Sequence, residues 1–223
     1  MIKEIDYNQE GHGSLAEEWL PHYDTQELWQ ARGFLHNAYD IKQLYAYLFS
    51  LSRTIDEYYE LQMRFYDFSS QEHLAFRRVI PQQKAMQGKM EIDEDCILFG
   101  SDAHILNEKR AMALKMQQDD FSLDLCLLKK KGVLWLGSGE RLTVMDEDGD
   151  AHPLYCATCP NMGTYGLLNW RGQEIKIKGR SSFDRIWGYL SLYHSPNHWQ
   201  RLRLFFFDGE EVVLIHFPGE ELS

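Results

Sequence analysis

Basic residues are scarce in this chain: 23 Lys and Arg stand against 34 Asp and Glu, a net charge of −11. A surface of that sign repels phosphate backbones and gains nothing from anionic lipid, so nucleic acid is excluded as a partner. Long apolar runs are missing too. The opening MIKEIDYNQEGHGSLAEEWL is acidic and has no apolar centre, so no secretory signal is expected. No stretch approaches the ~20 apolar residues of a membrane span, and the longest apolar cluster, Leu202 to Phe207, is strand-sized. Together these absences lead to the expectation of a cytoplasmic protein. Cysteine is sparse: Cys96, Cys126, Cys156 and Cys159 are expected to be reduced thiols. His152, Cys156 and Cys159 offer three zinc ligands where a structural site takes four, so the segment reads as a loop before Pro160. The acidic DEDGDAHP, Asp146 to Pro153, lacks the downstream Glu of a calcium loop and reads as a hairpin tip. No Gly-rich phosphate loop, Ser-His-Asp or Cys-His pattern is present, and neither metal nor cofactor is called for.

What the chain does have is material for a core. Hydrophobic residues make up 44% and aromatics 13% of its 223 residues, enough for one large all-β domain or two smaller units. Residues 1–25 read as a polar lead-in with a short helix around Ser14 to Trp19. From Gln26 on, LWQARGFLH and LYAYLFSLSRT read as strands. In the second, Tyr45, Tyr47, Phe49 and Leu51 share one face, and Leu44, Ala46, Leu48 and Ser50 the other. EYYELQMRFYDFS fits a strand or a helix. Ser70 to Pro81 predicts a helix, with Ser70 as N-cap, Leu74, Phe76 and Ile80 as a partial apolar face and Pro81 as the stop. Beyond Gly88 short strands alternate with the turns QQDD, KKKG, WRGQ and FDGEE, and Lys129 to Lys131 read as a solvated turn. Many short strands with little helix predict an antiparallel β-barrel or sandwich with one or two short helices.

The stretch from Gly179 to Phe217 is richest in chemistry. It sets Asp184, Trp187, Tyr189, Tyr193, His194, His198 and Trp199 between predicted strands. Groups able to move protons beside broad ring faces suit a pocket for a hydrophobic small molecule. Asp184 serves there as a general acid if desolvation raises its pKa; the alternative is a pairing with Arg180 or Arg185 in a turn. His198 is the candidate relay, with Trp187, Tyr189, Tyr193, Trp199, Trp170 and Tyr47 as candidate ligand-binding residues. His194 and His198 have the i, i+4 spacing of helical metal ligands, but Ser195-Pro196-Asn197 breaks any helix between them. Inward aromatics either pack as core or line a cavity.

The order of ELWQARGFL, LYAYLFSLSRT, FSLDLCLLKKKGVLWLGSGE, YCATCPNMGTYGLLNWRGQEIKIKGRSSFDRIWG and RLRLFFFDGEEVVLI resembles the carotenoid 1,2-hydratase / AttH-like family, over roughly residues 26 to 217. The glycine-bounded GRSSFDRIWG carries the closest likeness, and Asp184 matches the acidic position of that segment. The resemblance implies a lipocalin-like β-fold, related to that of fungal Diels–Alder cyclases. It further implies non-redox chemistry (hydration, isomerisation or cyclisation) on a hydrophobic, unsaturated metabolite. Two features depart from the family. The second lipocalin-like domain is not evident, and the WWY signature is represented only by Leu28-Trp29-Gln30. The expected organisation is a β-domain over 26–188, followed over 189–223 by a hairpin that closes the barrel or begins a truncated second domain. A homodimer or a partner chain would then supply what is missing. The alternatives are a non-catalytic carrier of a hydrophobic ligand and a subunit completing a partner's pocket.

Overall fold

The computed structural model describes residues 19–22, 25–54, 58–81, 90–93, 96–100, 102–136, 141–145, 149–188, 200–206 and 211–216. Period-two alternation organises nearly all of them. The first four strands are β1 (Gln26–Asn37), β2 (Leu44–Arg53), β3 (Tyr58–Asp67) and β4 (Glu72–Pro81). Short strands follow: β5 (Met90–Asp93), β6 (Cys96–Phe99), β7 (Ala103–Asn107), β8 (Ala111–Gln118), β9 (Phe121–Leu128), β10 (Leu134–Trp135) and β11 (Leu142–Met145). Two long strands, β12 (Ala151–Trp170) and β13 (Gln173–Gly188), precede the hairpin of β14 (Gln200–Phe205) and β15 (Glu211–His216). The first thirteen form a single sheet in the order β4-β3-β2-β1-β13-β12-β9-β8-β7-β6-β5, with β10 and β11 also on β12. Strands β14 and β15 pair only with each other, as the turn chemistry between them predicts. All these pairings are antiparallel, so tight turns suffice; at Arg171 (φ 56°) and Gly172 (φ 73°) both central residues have positive φ, which matches the twist of the flanking strands.

The sheet curls until its two halves meet. Five strand-to-strand steps separate β3 from β9 in the sheet order, about 24 Å along a flat sheet. Yet the rings of Phe65 on β3 and Phe121 on β9 lie 5.0 Å apart, and Trp170 packs 5.2 Å from Phe65. The concave face is filled: Trp29, Phe49, Leu61, Met63, Ile97, Leu114, Leu123 and Phe183 belong to one buried cluster drawn from both halves. At the rim, Arg78 on β4 pairs with Asp102 in the turn before β7.

No helix occurs among the described residues, which corrects the prediction for Ser70 to Pro81. That segment is β4, and Leu74, Phe76 and Ile80 face Phe65, Met63 and Tyr59. The spacing of those apolar residues is a strand's period of two, with Arg78 in the fourth inward position. The ambiguous EYYELQMRFYDFS is likewise a strand, β3. Of the helix expected around Ser14 to Trp19, only Trp19 lies among the described residues.

A polar thread crosses this core. Tyr47 donates to Ser181 Oγ at 2.7 Å, and Ser181 shares a 2.7 Å bond with Thr164. Burial pushes the Tyr47 phenol well above its ordinary pKa, so it stays protonated and can donate. The Tyr47 ring reaches Ser181 across Gly33 of β1, which pairs with both residues. A β-carbon on Gly33 would collide with the Ser181 hydroxyl and the Arg180 carbonyl and lie 2.8 Å from the Tyr47 ring. Gly33→Ala is therefore expected to cost about 1–3 kcal/mol in urea unfolding. Gly132→Ala, where a β-carbon meets nothing within 4 Å, should be neutral; equal effects at the two sites would contradict the packing described.

Candidate functional site

Strand β13 lies at the middle of the sheet, between β1 and β12, and residues 181–188 are all buried. Because side chains alternate, neighbouring residues go to opposite faces. Phe183, Arg185 and Trp187 point into the concave core. Ser182, Asp184 and Ile186 point to the convex face, where Leu136 and Leu142 pack with Leu28, Leu154, Cys156 and Ile186.

On the concave side, at the end of the barrel where β1 begins, three charges are out of water together. Arg185 and Glu27 form an ion pair in which both side chains are 0% exposed, and Arg53 adds a second contact to Glu27 at 3.1 Å. The Arg185 guanidinium lies 4.0 Å from the centroid of Trp29 and 5.3 Å from that of Trp187, which suits a weakly hydrated planar cation. Its remaining donors reach the carbonyls of Leu20 and Ile186, both at 3.1 Å. Arg53 donates to His22 O and, at 3.0 Å, to Thr25 O; Glu27 accepts the His22 amide. These bonds strap residues 19–22 across the barrel end, with Trp19 stacked 5.3 Å from Phe183 and its carbonyl accepting from Trp29 Nε1 at 3.0 Å. Trp187 is stacked by His22 at 4.7 Å and Tyr155 at 5.3 Å, and met edge-on by Trp135 at 5.6 Å. Every charge here has a counter-charge or acceptor and every ring a stacking or edge partner, although the buried N–H groups of Trp19 and Trp135 meet no acceptor among the described residues. The arrangement suits clamping better than catalysis.

On the convex side, Asp184 is also 0% exposed. Its Oδ2 accepts from Arg32 Nη2 at 2.7 Å, and its Oδ1 accepts from Thr158 at 2.6 Å. The partner is thus Arg32, from the neighbouring strand, and neither Arg180 nor Arg185. The Arg32 side chain is 25% exposed, so it connects the buried carboxylate to solvent. Beside them the Ser182 hydroxyl is buried without a hydrogen-bond partner among the described residues. A bulge in β12 between Cys159 and Met162 places Asn161, buried with φ 48°, opposite this part of β13. Bulges commonly re-aim side chains next to functional sites.

The other sequence candidates are dispersed. Trp187 is on the opposite face of β13 from Asp184. Tyr47 is in the hydrogen-bonded core, and Trp170 is at the far end of the barrel. Tyr189, Tyr193, His194, His198 and Trp199 lie outside the described residues. The single aromatic hollow expected around Asp184 is therefore not built by Tyr47, Trp170 and Trp187. Glu27, Arg32, Arg53 and His22 were not singled out by the sequence reading, although Glu27, Arg53 and Arg185 each stand in the apolar phase of a strand, a legible signal for a buried charge.

Cys156 and Cys159 also separate. Cys156 packs on the convex face and Cys159 in the core, so the pair cannot chelate one ion. Among the described residues no three His, Cys, Asp or Glu side chains are placed to hold a metal. Lys129 is half-buried, donating to Asn107 Oδ1 and Glu108 O at 2.6 Å each, so it is not the freely solvated turn residue expected. No helix among the described residues is long and apolar enough to cross a membrane.

No family model matches the sequence, and no curated protein matches it. Among solved structures the chain is similar to a protein described as an AttH from Nitrosomonas europaea, with TM-score 0.78 and 16% identity, over 99% of this chain and 69% of that one. It is similar also to kievitone hydratase from Nectria haematococca, with TM-score 0.60 and 13% identity, over 86% of this chain and 61% of that one. The chain has the AttH-like, lipocalin-like β-fold. At these identities the likeness is one of fold, and in that AttH-like fold β13 brings charges to both faces of the sheet.

Two outcomes follow from these buried groups. Glu27→Gln, leaving Arg185 buried without its counter-charge, is expected to cost about 3–5 kcal/mol in chemical unfolding. Adding Arg185→Met should recover part of that loss; strictly additive costs would mean the two side chains are not paired. Thiol labelling reads burial separately. Cys126 is exposed and Cys96 partly so, whereas Cys156 and Cys159 are buried and burial pushes the Cys159 thiol up to about 12. At pH 8 Cys126 and then Cys96 should react in the native protein, with Cys156 and Cys159 reacting only in denaturant; labelling of all four in the native state would contradict the fold.

Proposed function

We propose that the protein is a hydratase-type enzyme performing non-redox chemistry on a hydrophobic, unsaturated small molecule, with Asp184 and Arg32 as its polar centre. The observation that carries this reading is a fully buried carboxylate held between the Thr158 hydroxyl and a guanidinium that itself reaches solvent. The fold likeness to kievitone hydratase supports the same class.

A guanidinium 2.7 Å away favours the charged carboxylate. Asp184 is then better suited to receive a proton than to donate one at the outset. For a double bond conjugated to a carbonyl, Asp184 takes a proton from water as the water oxygen bonds to the β-carbon. The π electrons move onto the carbonyl oxygen, and Arg32 stabilises that enolate charge. The α-carbon then takes the proton back from Asp184, completing addition of water. Isomerisation by proton transfer uses the same carboxylate and the same enolate, and cyclisation needs only that the ligand be held folded. His198 is nominated as a relay, and Tyr189, Tyr193 and Trp199 as ligand contacts, on sequence alone.

The carrier alternative, with a large apolar ligand in the middle of the barrel, is less well supported, because side chains fill the central concave face. Incubating the protein with a panel of apolar enones and polyenes in H2-18O, with mass detection of the added heavy water, tests the proposal. Asp184→Asn is expected to lower turnover about 100- to 10,000-fold while circular dichroism stays native. Turnover unchanged in a folded Asp184→Asn protein would remove that carboxylate from the mechanism.

A further inference from the structure

The end of the barrel opposite the Glu27–Arg185 clamp holds a cavity of about 300 Å³, lined by Gln43, Tyr45, Asp67, Trp170, Gln173 and Ile175 among others. That volume sits at the lower end of the range of small-molecule pockets, about 300–1,000 Å³. Asp67 supplies its charge. This carboxylate is buried, and its Oδ1 accepts the amides of Ser69 at 2.8 Å and Ser70 at 3.3 Å, but no cation pairs with it among the described residues. The one arginine in the lining, Arg171, is engaged with Glu72. The rings of Tyr45 and Trp170 form apolar walls, backed by Phe65 at 5.6 and 5.2 Å. Trp170 is partly buried and offers this cavity its ring, while its Nε1 is itself shielded from solvent.

We propose that this cavity binds a small organic cation: a protonated amine on an aromatic or apolar body. Each part of that ligand answers a separate feature. The ammonium meets Asp67, with the ring faces adding cation–π attraction. The body lies between the rings of Tyr45 and Trp170. A protein charge of −11 raises the local concentration of such cations. The site is separate from the Asp184 centre: Trp170 ends β12, whereas Thr158, the partner of Asp184, lies in its first half and on the convex face.

Isothermal titration with three isosteres tests the proposal. Phenethylamine is expected to bind, 2-phenylethanol to bind about tenfold more weakly or worse, and phenylacetate to give no heat. Trp170→Ala, which removes one ring wall, should weaken phenethylamine about tenfold or more while leaving the Asp67 turn intact. Asp67→Asn keeps an acceptor for the Ser69 and Ser70 amides, so the turn is retained, and it should weaken phenethylamine about tenfold or more. No binding of the amine, equal binding of amine and alcohol, or amine affinity unchanged in folded Asp67→Asn or Trp170→Ala would each overturn the proposal. Failure of the Asp184 reading would leave these titrations unaffected.

Discussion

Strand β13 carries an acid and a base side by side, Asp184 and Arg185, and neither side chain meets water. That constraint organises the molecule. A charge taken out of water costs several kcal/mol unless paired and hydrogen-bonded, so each of the two must recruit partners from neighbouring strands. Arg185 recruits Glu27 from β1, which Arg53 of β2 also contacts, and two indole faces on the concave side. Asp184 recruits Arg32 of β1 and Thr158 of β12 on the convex side. A one-residue slip of β13 would exchange the two faces and leave both charges unpaired, so these pairs help to fix register as well as sheet order.

The two faces differ in what their pairing leaves over. In the inner cluster the charges pair among themselves, stacked by aromatic rings and tied to the segment at 19–22, and what is left over among the described residues is two buried indole N–H groups, of Trp19 and Trp135, with no titratable group free. The outer cluster retains a partly exposed guanidinium and a buried hydroxyl, Ser182, without a partner. Binding and proton transfer need such unspent polar capacity. The far end of the barrel has it as well, in Asp67, but surrounded by rings in place of cations. The paired cluster that ties the barrel end together and the polar groups proposed for chemistry thus lie on different faces and ends of one sheet.

Much of the architecture was legible in the sequence. The face assignment of β2, the turn at Arg171-Gly172 and the antiparallel meander follow from period-two alternation and turn chemistry, which are local. The failure at Ser70 to Pro81 came from weighing a plausible cap above the spacing of Leu74, Phe76 and Ile80, which is a strand's. The site was legible only in part. Asp184 could be found because it stands in a recognisable segment; Arg32 could not, because an ion pair joining residues 32 and 184 depends on β1 lying beside β13, and no local pattern encodes that neighbour. The bulge between Cys159 and Met162 was equally hidden. It reverses the facing of β12 beyond Cys159, so that Met162 rejoins the core, whereas Cys156 and Cys159 face apart simply because they stand three positions apart on a strand.

The central claim is that small-molecule chemistry belongs to the convex face of β13 rather than to the interior of the barrel. A crystal structure with a turned-over or non-reactive unsaturated ligand bound tests this most directly. Ligand density is expected against Arg32 and the Asp184 carboxylate, with Tyr47 and Phe65 still packed in the core. Density for the ligand between Tyr47, Phe65 and Phe183, with those rings displaced and the Arg32–Asp184 pair untouched, would contradict it.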